Sequence, residues 1–269
     1  MKYSRPLRLV LIFTLGLGAW SCKEKKMNEN PINNNKSAAE FLGHPEYRAI
    51  SYGGYRTLTR EDQPSLSQIK EDLKILSALG IKVIRTYNLQ LDQAPNILKA
   101  IQALKSEEAG FEMYVMLGAW IDCQGAWIQS QPNHDIEDLE NNTSEIAKAI
   151  ALANQYPEIV KIIAVGNEAM VHWATSYFVK PAVILKWVSY LQTQKTKGNL
   201  PESLWITSSD NFASWGGGDA SYHNEDLTAL IKAVDYISIH TYPFHDTHHN
   251  SSFWVESQNN ISHLQAKAR

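Results

Sequence analysis

From residue 49 to residue 241 the chain alternates two patterns of apolar positions. Short runs rich in β-branched residues occur at 49–52 (AISY), 81–86 (IKVIRT), 111–117 (FEMYVML), 160–166 (VKIIAVG), 204–207 (LWIT) and 235–241 (DYISIHT), and they read as strands. Between them, apolar residues recur at helical spacing: Leu66, Ile69, Leu73, Leu76 and Leu79; Ile97, Leu98, Ile101 and Leu104; Ile146, Ile150 and Ala153; Ile184, Leu185, Val188 and Leu191; Leu227, Leu230, Ile231 and Val234. Gly80, Gly110 and Gly198 stand where three of these helices should end, and Pro181 suits a first helical turn. The stretch from Phe253 onward predicts the start of another helix.

Strands alternating with helices imply parallel βα units wound right-handedly, as an open doubly wound sheet or a closed barrel. No glycine-rich phosphate loop follows the first strand, as a nucleotide-binding open sheet would need. The run Gly216, Gly217, Gly218 reads as a flexible loop. Residues of site-forming type follow each strand: Tyr55 and Arg56, Arg85 and Tyr87, Trp120 and Asp122, Asn167 and Glu168, Ser209 and Asp210, His240 and Tyr242. A (β/α)8 TIM barrel would bring all of them to one face. The expected fold is therefore α/β of that type. Only six of its eight βα units are found, and two more would need roughly 60 residues. The domain is expected to be incomplete at its C-terminus.

Ahead of the alternation lies a different kind of sequence. Lys2, Arg5 and Arg8 precede an apolar run at 9–20 that is too short to span a bilayer, so residues 1–21 read as a signal peptide. Cys22 follows at a lipobox-like junction and is the expected lipidation site. Residues 22–40, with KEKK and NENPINNNKS, carry no apolar periodicity and read as a flexible tether to a domain at 41–269. The expected product is an exported lipoprotein of the bacterial cell envelope, held on a membrane by its lipid anchor. The formal charge of -3 offers no basic face, which argues against a nucleic-acid partner. Cys123 is the one cysteine besides Cys22, so a structural disulfide is not expected. Eight Trp and 12 Tyr suit either a dense core or stacking on sugars.

The candidate chemistry centres on 165–173 (VGNEAMVHW). A glutamate ending a buried strand needs a partner or a task. Burial favours its protonated form, which is what delivering a proton to a glycosidic oxygen requires. Asn167 can hydrogen-bond a sugar hydroxyl with either end of its amide. A structural ion pair is the alternative for Glu168.

Five segments in order resemble glycoside hydrolase family 17: AISYGGYR (49–56), IKVIRTYN (81–88), VMLGAWI (115–121), AVGNEAM (164–170) and ISIHTYPF (237–244). The resemblance implies a retaining hydrolase or transglycosylase of β-1,3-glucan, with Glu168 as general acid/base. It implies sugar contacts or supporting roles for Tyr52, Arg85, Tyr87, Trp120, Asn167 and Tyr242. Asp210 is expected to line the groove or cap a turn, and His240 to serve the site or pack beneath it. The family's nucleophile, a glutamate ending the seventh strand, has no counterpart, and Glu256 is a poor substitute. The chain is therefore expected to show trace turnover at best, and a sugar-binding lipoprotein or inactive fragment is the alternative. No cofactor is implied. His240, His245, His248 and His249 lack a completing ligand, so no metal is expected.

Overall fold

A computed structural model of the chain describes residues 36–128, 131–217 and 220–242. In chain order its elements are α1 (Ala38–Phe41), β1 (Arg48–Ser51), α2 (Leu66–Ala78), β2 (Ile81–Arg85), α3 (Gln93–Glu107), β3 (Tyr114–Ala119), β4 (Cys123–Gln124), β5 (Asn133–Glu137), α4 (Leu139–Gln155), β6 (Val160–Asn167), α5 (Pro181–Thr196), β7 (Trp205–Asn211), α6 (Glu225–Ala233) and β8 (Ser238–His240). Side-chain caps start several of the helices. Ser65 accepts the amide of Gln68, Asp138 that of Asn141, and Asn224 that of Leu227. The glycines expected at helix ends, Gly80, Gly110 and Gly198, have φ of 80°, 86° and 75°.

Six strands pair in parallel in the order β1-β2-β3-β6-β7-β8. The order never reverses, as it must in a doubly wound sheet. The packing agrees. One apolar cluster joins Ile84, Val115, Leu117, Ile163, Val165 and Ile206 of the strands to Ile69, Leu98, Ile146, Ile184 and Leu230 of α2 to α6. The alternate residues of the same strands, Val83, Tyr114, Met116, Ile162 and Ala164, form a second cluster that those helices do not enter. Helices on one face only, over a sequentially wound parallel sheet, make the curled wall expected of a TIM-barrel-like domain. The described residues supply six strands of that wall.

Several details differ from the expectations. The tether does not run to residue 40. Ser37 and Glu40 form a capping box, and Ala38 and Phe41, 0% and 1% exposed, pack into the second cluster. There Phe41 stacks on Tyr114 with parallel rings 4.9 Å apart. Tyr114 opens β3, so α1 fills the space at the N-terminal ends of the strands. An antiparallel pair, β4 with β5, interrupts the βα alternation after β3. The third strand starts at Tyr114 rather than Phe111, and the fifth extends to Asn211. Gly216 and Gly217 are not a slack loop: their amides donate to Ala213 and Phe212 carbonyls. Residues 1–35, including Cys22, and residues 243–269, including His245, His248, His249, Trp254 and Glu256, lie outside the described residues. Among the described residues no helix is long and apolar enough to cross a membrane.

Candidate active site

Asn167 ends β6 and Glu168 follows it, and on a regular strand two successive side chains would point to opposite faces of the sheet. The pairing of β6 with β7 shifts register between Ala164 and Asn167, and Gly166 within the shift has φ 82°. A Cβ on Gly166 would lie 2.8 Å from the Ala169 Cβ, so glycine is required on two grounds. Glu168 follows at φ 49°. A left-handed conformation costs a non-glycine residue about 1–2 kcal/mol, and the surroundings must hold it. They do so through the Glu168 amide, which donates to the Ser209 carbonyl at 2.8 Å.

The two side chains then find different partners. Asn167 Oδ1 accepts from Arg85 Nη2 at 2.5 Å, and the guanidinium lies over the Tyr87 ring, 5.0 Å from its centroid. Burial lowers the pKa of Arg85 from its ordinary value. Glu168 Oε1 lies 2.9 Å from His240 Nδ1, their side chains 15% and 9% exposed. His240 Nε2 is buried and has no hydrogen-bond partner among the described residues. The Tyr242 hydroxyl also bonds Glu168; burial, then that carboxylate, raises its pKa. Arg85, Asn167, Glu168, His240 and Tyr242, all expected at the site, are thus brought together by β2, β6 and β8, with Tyr87 against Arg85.

Tyr52 requires correction, and for Asp210 the sugar contact is corrected in favour of the turn cap, the other role expected of it. Asp210 is fully buried and accepts the amides of Met170 at 2.8 Å and Asn211 at 2.9 Å. It caps the turn after Glu168 and cannot reach a sugar. Burial pushes its carboxyl up to about 7 against those hydrogen bonds. Tyr52 is buried against α2, where its hydroxyl donates to Asp72 at 2.7 Å.

Trp120 is at the expected strand end but belongs to a larger assembly. Its Nε1 donates to Asp122 Oδ1 at 2.6 Å, and Trp127 Nε1 reaches the same oxygen at 3.3 Å. Burial raises the Asp122 carboxyl to about 6, opposed by the two indoles. Asn142 of α4 holds Asp122 by its backbone, accepting its amide and donating to its carbonyl. Glu145, also on α4 and 1% exposed, accepts the amides of Leu89 and Trp120. Sequence reasoning missed both α4 residues. A signal was available: Asn142 and Glu145 share the spacing of the buried Ile146, Ala149 and Ala153, so two polar residues sit on an apolar stripe. Trp215 is core, its Nε1 donating to the Ser238 carbonyl, whereas Trp173 is exposed. Cys123 is buried, and burial raises its pKa, which suits an inert thiol. Among the described residues no group of three or more His, Cys, Asp or Glu could hold a metal ion.

A carboxylate at a strand end, flanked by an imidazole, a phenol and an arginine-held amide, is equipped to exchange a proton with a hydroxyl-rich ligand. The comparisons agree with that class. Residues 49–269 match the family model for the BtgE/BtgC glycoside hydrolase domain, and the chain belongs to that family. The molecule thus stands among the glycosidases. The crystal structure of an endo-laminarinase from Formosa Hel1_33_131 superposes with a TM-score of 0.83 at 56% identity, over 86% of this chain and 63% of that one. The chain therefore spans less than two thirds of that protein's length. The endo-β1,6-glucanase BT3312 matches at 12% identity and a TM-score of 0.48, over 73% and 52% of the two chains, too distantly to carry an argument. No curated protein matches.

Proposed function

We propose that this protein is a retaining, endo-acting glycosidase of β-1,3-glucan, of the glycoside hydrolase family 17 kind, with Glu168 as general acid/base. The observation that carries the reading is the strained, register-shifted end of β6. It places Asn167 on Arg85 and Glu168 on His240 side by side. The 56% identity to an endo-laminarinase supports the substrate class. Glu168 protonates the leaving glycosidic oxygen and then takes a proton from the incoming water or sugar hydroxyl, giving hydrolysis or transfer. Asn167, oriented by Arg85, binds a hydroxyl of the sugar at the cleavage point. The nucleophile of a retaining pair stands about 5–5.5 Å from the acid/base. Asp122 and Asp210, buried and already engaged in hydrogen bonds, are not assigned that role. Export and lipid anchoring through Cys22 belong to the same proposal.

The test is release of reducing ends from laminarin by the native protein, alongside binding of laminari-oligosaccharides. Glu168→Gln is expected to abolish turnover while leaving binding within a few fold. Unchanged turnover in that variant would remove Glu168 from the mechanism. Binding without turnover by the wild type would make the protein a glucan-binding one. Cys22→Ala is expected to move the protein from the membrane to the soluble fraction of its host, and persistence in the membrane would refute the anchor.

A further inference from the structure

Beside Glu168 runs a row of aromatic rings that the acid/base chemistry does not use. Tyr177 lies within electrostatic reach of Glu168, Asp210 and Asp122. It stacks on Trp127 with centroids 4.8 Å apart at 19°, and its ring is 5.2 Å from Trp120. Trp127 ends the row and is 61% exposed. It is nevertheless tightly held. Its Nε1 is anchored on the buried Asp122, its amide donates to the Ser176 carbonyl at 3.0 Å, and its φ is 64°.

An exposed indole contributes little to a core, and a left-handed conformation is uncommon for so bulky a residue. Such a ring, fixed in advance, loses little conformational freedom when a ligand settles on it. A cleft of about 620 Å³ opens against it, with Gln131, Pro132, His134, Thr175 and Ser176 among its lining residues. His134 is stacked on Phe178 at 3.7 Å and donates Nδ1–H to the Phe178 carbonyl. The cleft thus combines one rigid aromatic face with several neutral hydrogen-bonding groups. That chemistry fits a pyranose ring, which has an apolar C–H face and a hydroxyl rim.

We infer that Trp127 and this cleft form a distal subsite for glucosyl units of the same β-glucan chain, beyond those held at Glu168. The inference rests on the glycosidase reading proposed above and adds to it a preference for longer chains.

The experiment is fluorescence titration of the full chain with laminari-oligosaccharides of two or three units and of six or more. The wild type should bind the longer series more tightly, with quenching of indole emission. Trp127→Ala should weaken binding of the long oligosaccharides about tenfold and leave the short ones unchanged. Trp127→Phe should keep most of the long-chain affinity. Trp127→Gly accepts the left-handed backbone without strain, and serves if the alanine variant disturbs the loop. Equal affinities in wild type and variants at every length, or equal losses for short and long chains, would overturn the subsite alone. A wild type that binds no laminari-oligosaccharide, but binds a β-1,6-linked series with the same Trp127-dependent length effect, would keep the subsite and overturn the linkage. Binding of neither series would overturn both.

Discussion

Gly118 shows how little room surrounds the site. A Cβ there would lie 2.4 Å from the Thr86 carbonyl oxygen and 2.7 Å from the Tyr87 Cα, both backbone atoms that cannot swing aside. Gly118→Ala must therefore push β2 away from β3 just where Arg85 and Tyr87 are presented. We expect a loss of about 2–4 kcal/mol in urea unfolding, and an unchanged midpoint would show that the strands part freely. Glu145 acts by acceptance rather than by fit. Its two oxygens receive the amides of Leu89 and Trp120, so Glu145→Gln turns a donor toward a donor. A cost of about 1–3 kcal/mol is expected, with faster hydrogen exchange at those two amides as its local signature. Glu168 and Asn167 could be found in the sequence because strand-end polar residues stand out against an apolar run. Glu145 reads as any helix glutamate until its place on the buried stripe is noticed.

Among the elements, α1 has only four residues, yet it brings an aromatic ring to complete exclusion from solvent. Phe41→Ala removes the ring stacked on Tyr114 and leaves a void among Val83, Met116 and Ile162. We expect about 3–5 kcal/mol of destabilisation by denaturant titration; less than 1 kcal/mol would mean that the ring closes nothing. In the wall, β3, β6 and β7, buried along nearly their whole length, were legible because parallel strands covered on both faces read as apolar runs. By contrast β1 and β8, exposed or half-buried at the two ends of the described sheet, were legible from their β-branched residues and their place in the alternation. The helices between them were legible from their spacing. The β4–β5 pair was not, since NHDIE is polar and carries the mixed exposure of a peripheral hairpin. Nor was α1, too short for any periodicity to register. Asp210 was placed at the correct strand end with two roles open, groove or cap, and only the structure decides for the cap. Position along a strand does not reveal whether a carboxylate faces a groove or the amides of the next turn.

At the scale of the whole molecule, the buried carboxyls set how stability varies with pH. Burial raises Asp122 from 3.8 to about 6, Asp210 to about 7, and Glu145 above its ordinary value. Between about pH 4 and those values the native state binds more protons than the unfolded chain, so stability should fall as pH rises from about 4 to 7. Glu112 has the opposite sign. Burial raises it, but hydrogen bonds from Lys82, Tyr114 and Tyr47 outweigh that and hold it below its ordinary value, so its contribution is lost as pH falls below about 4.5. Asp122→Asn keeps an acceptor for both indoles and removes one titration. It should flatten the fall between about pH 4 and 6 by up to about 3 kcal/mol in denaturant midpoints, and an unaltered slope would clear Asp122 of the effect. The packing of α1 has a consequence on the same scale. Strands of six to eight residues separate their two ends by roughly 20–25 Å, and α1 lies at one end while Glu168 and Trp127 lie at the other. The polypeptide therefore enters this domain at the pole behind the cleft. A support gripping the chain just ahead of Lys36 would leave the opposite pole unobstructed, so that long polymers could approach without meeting the surface behind it.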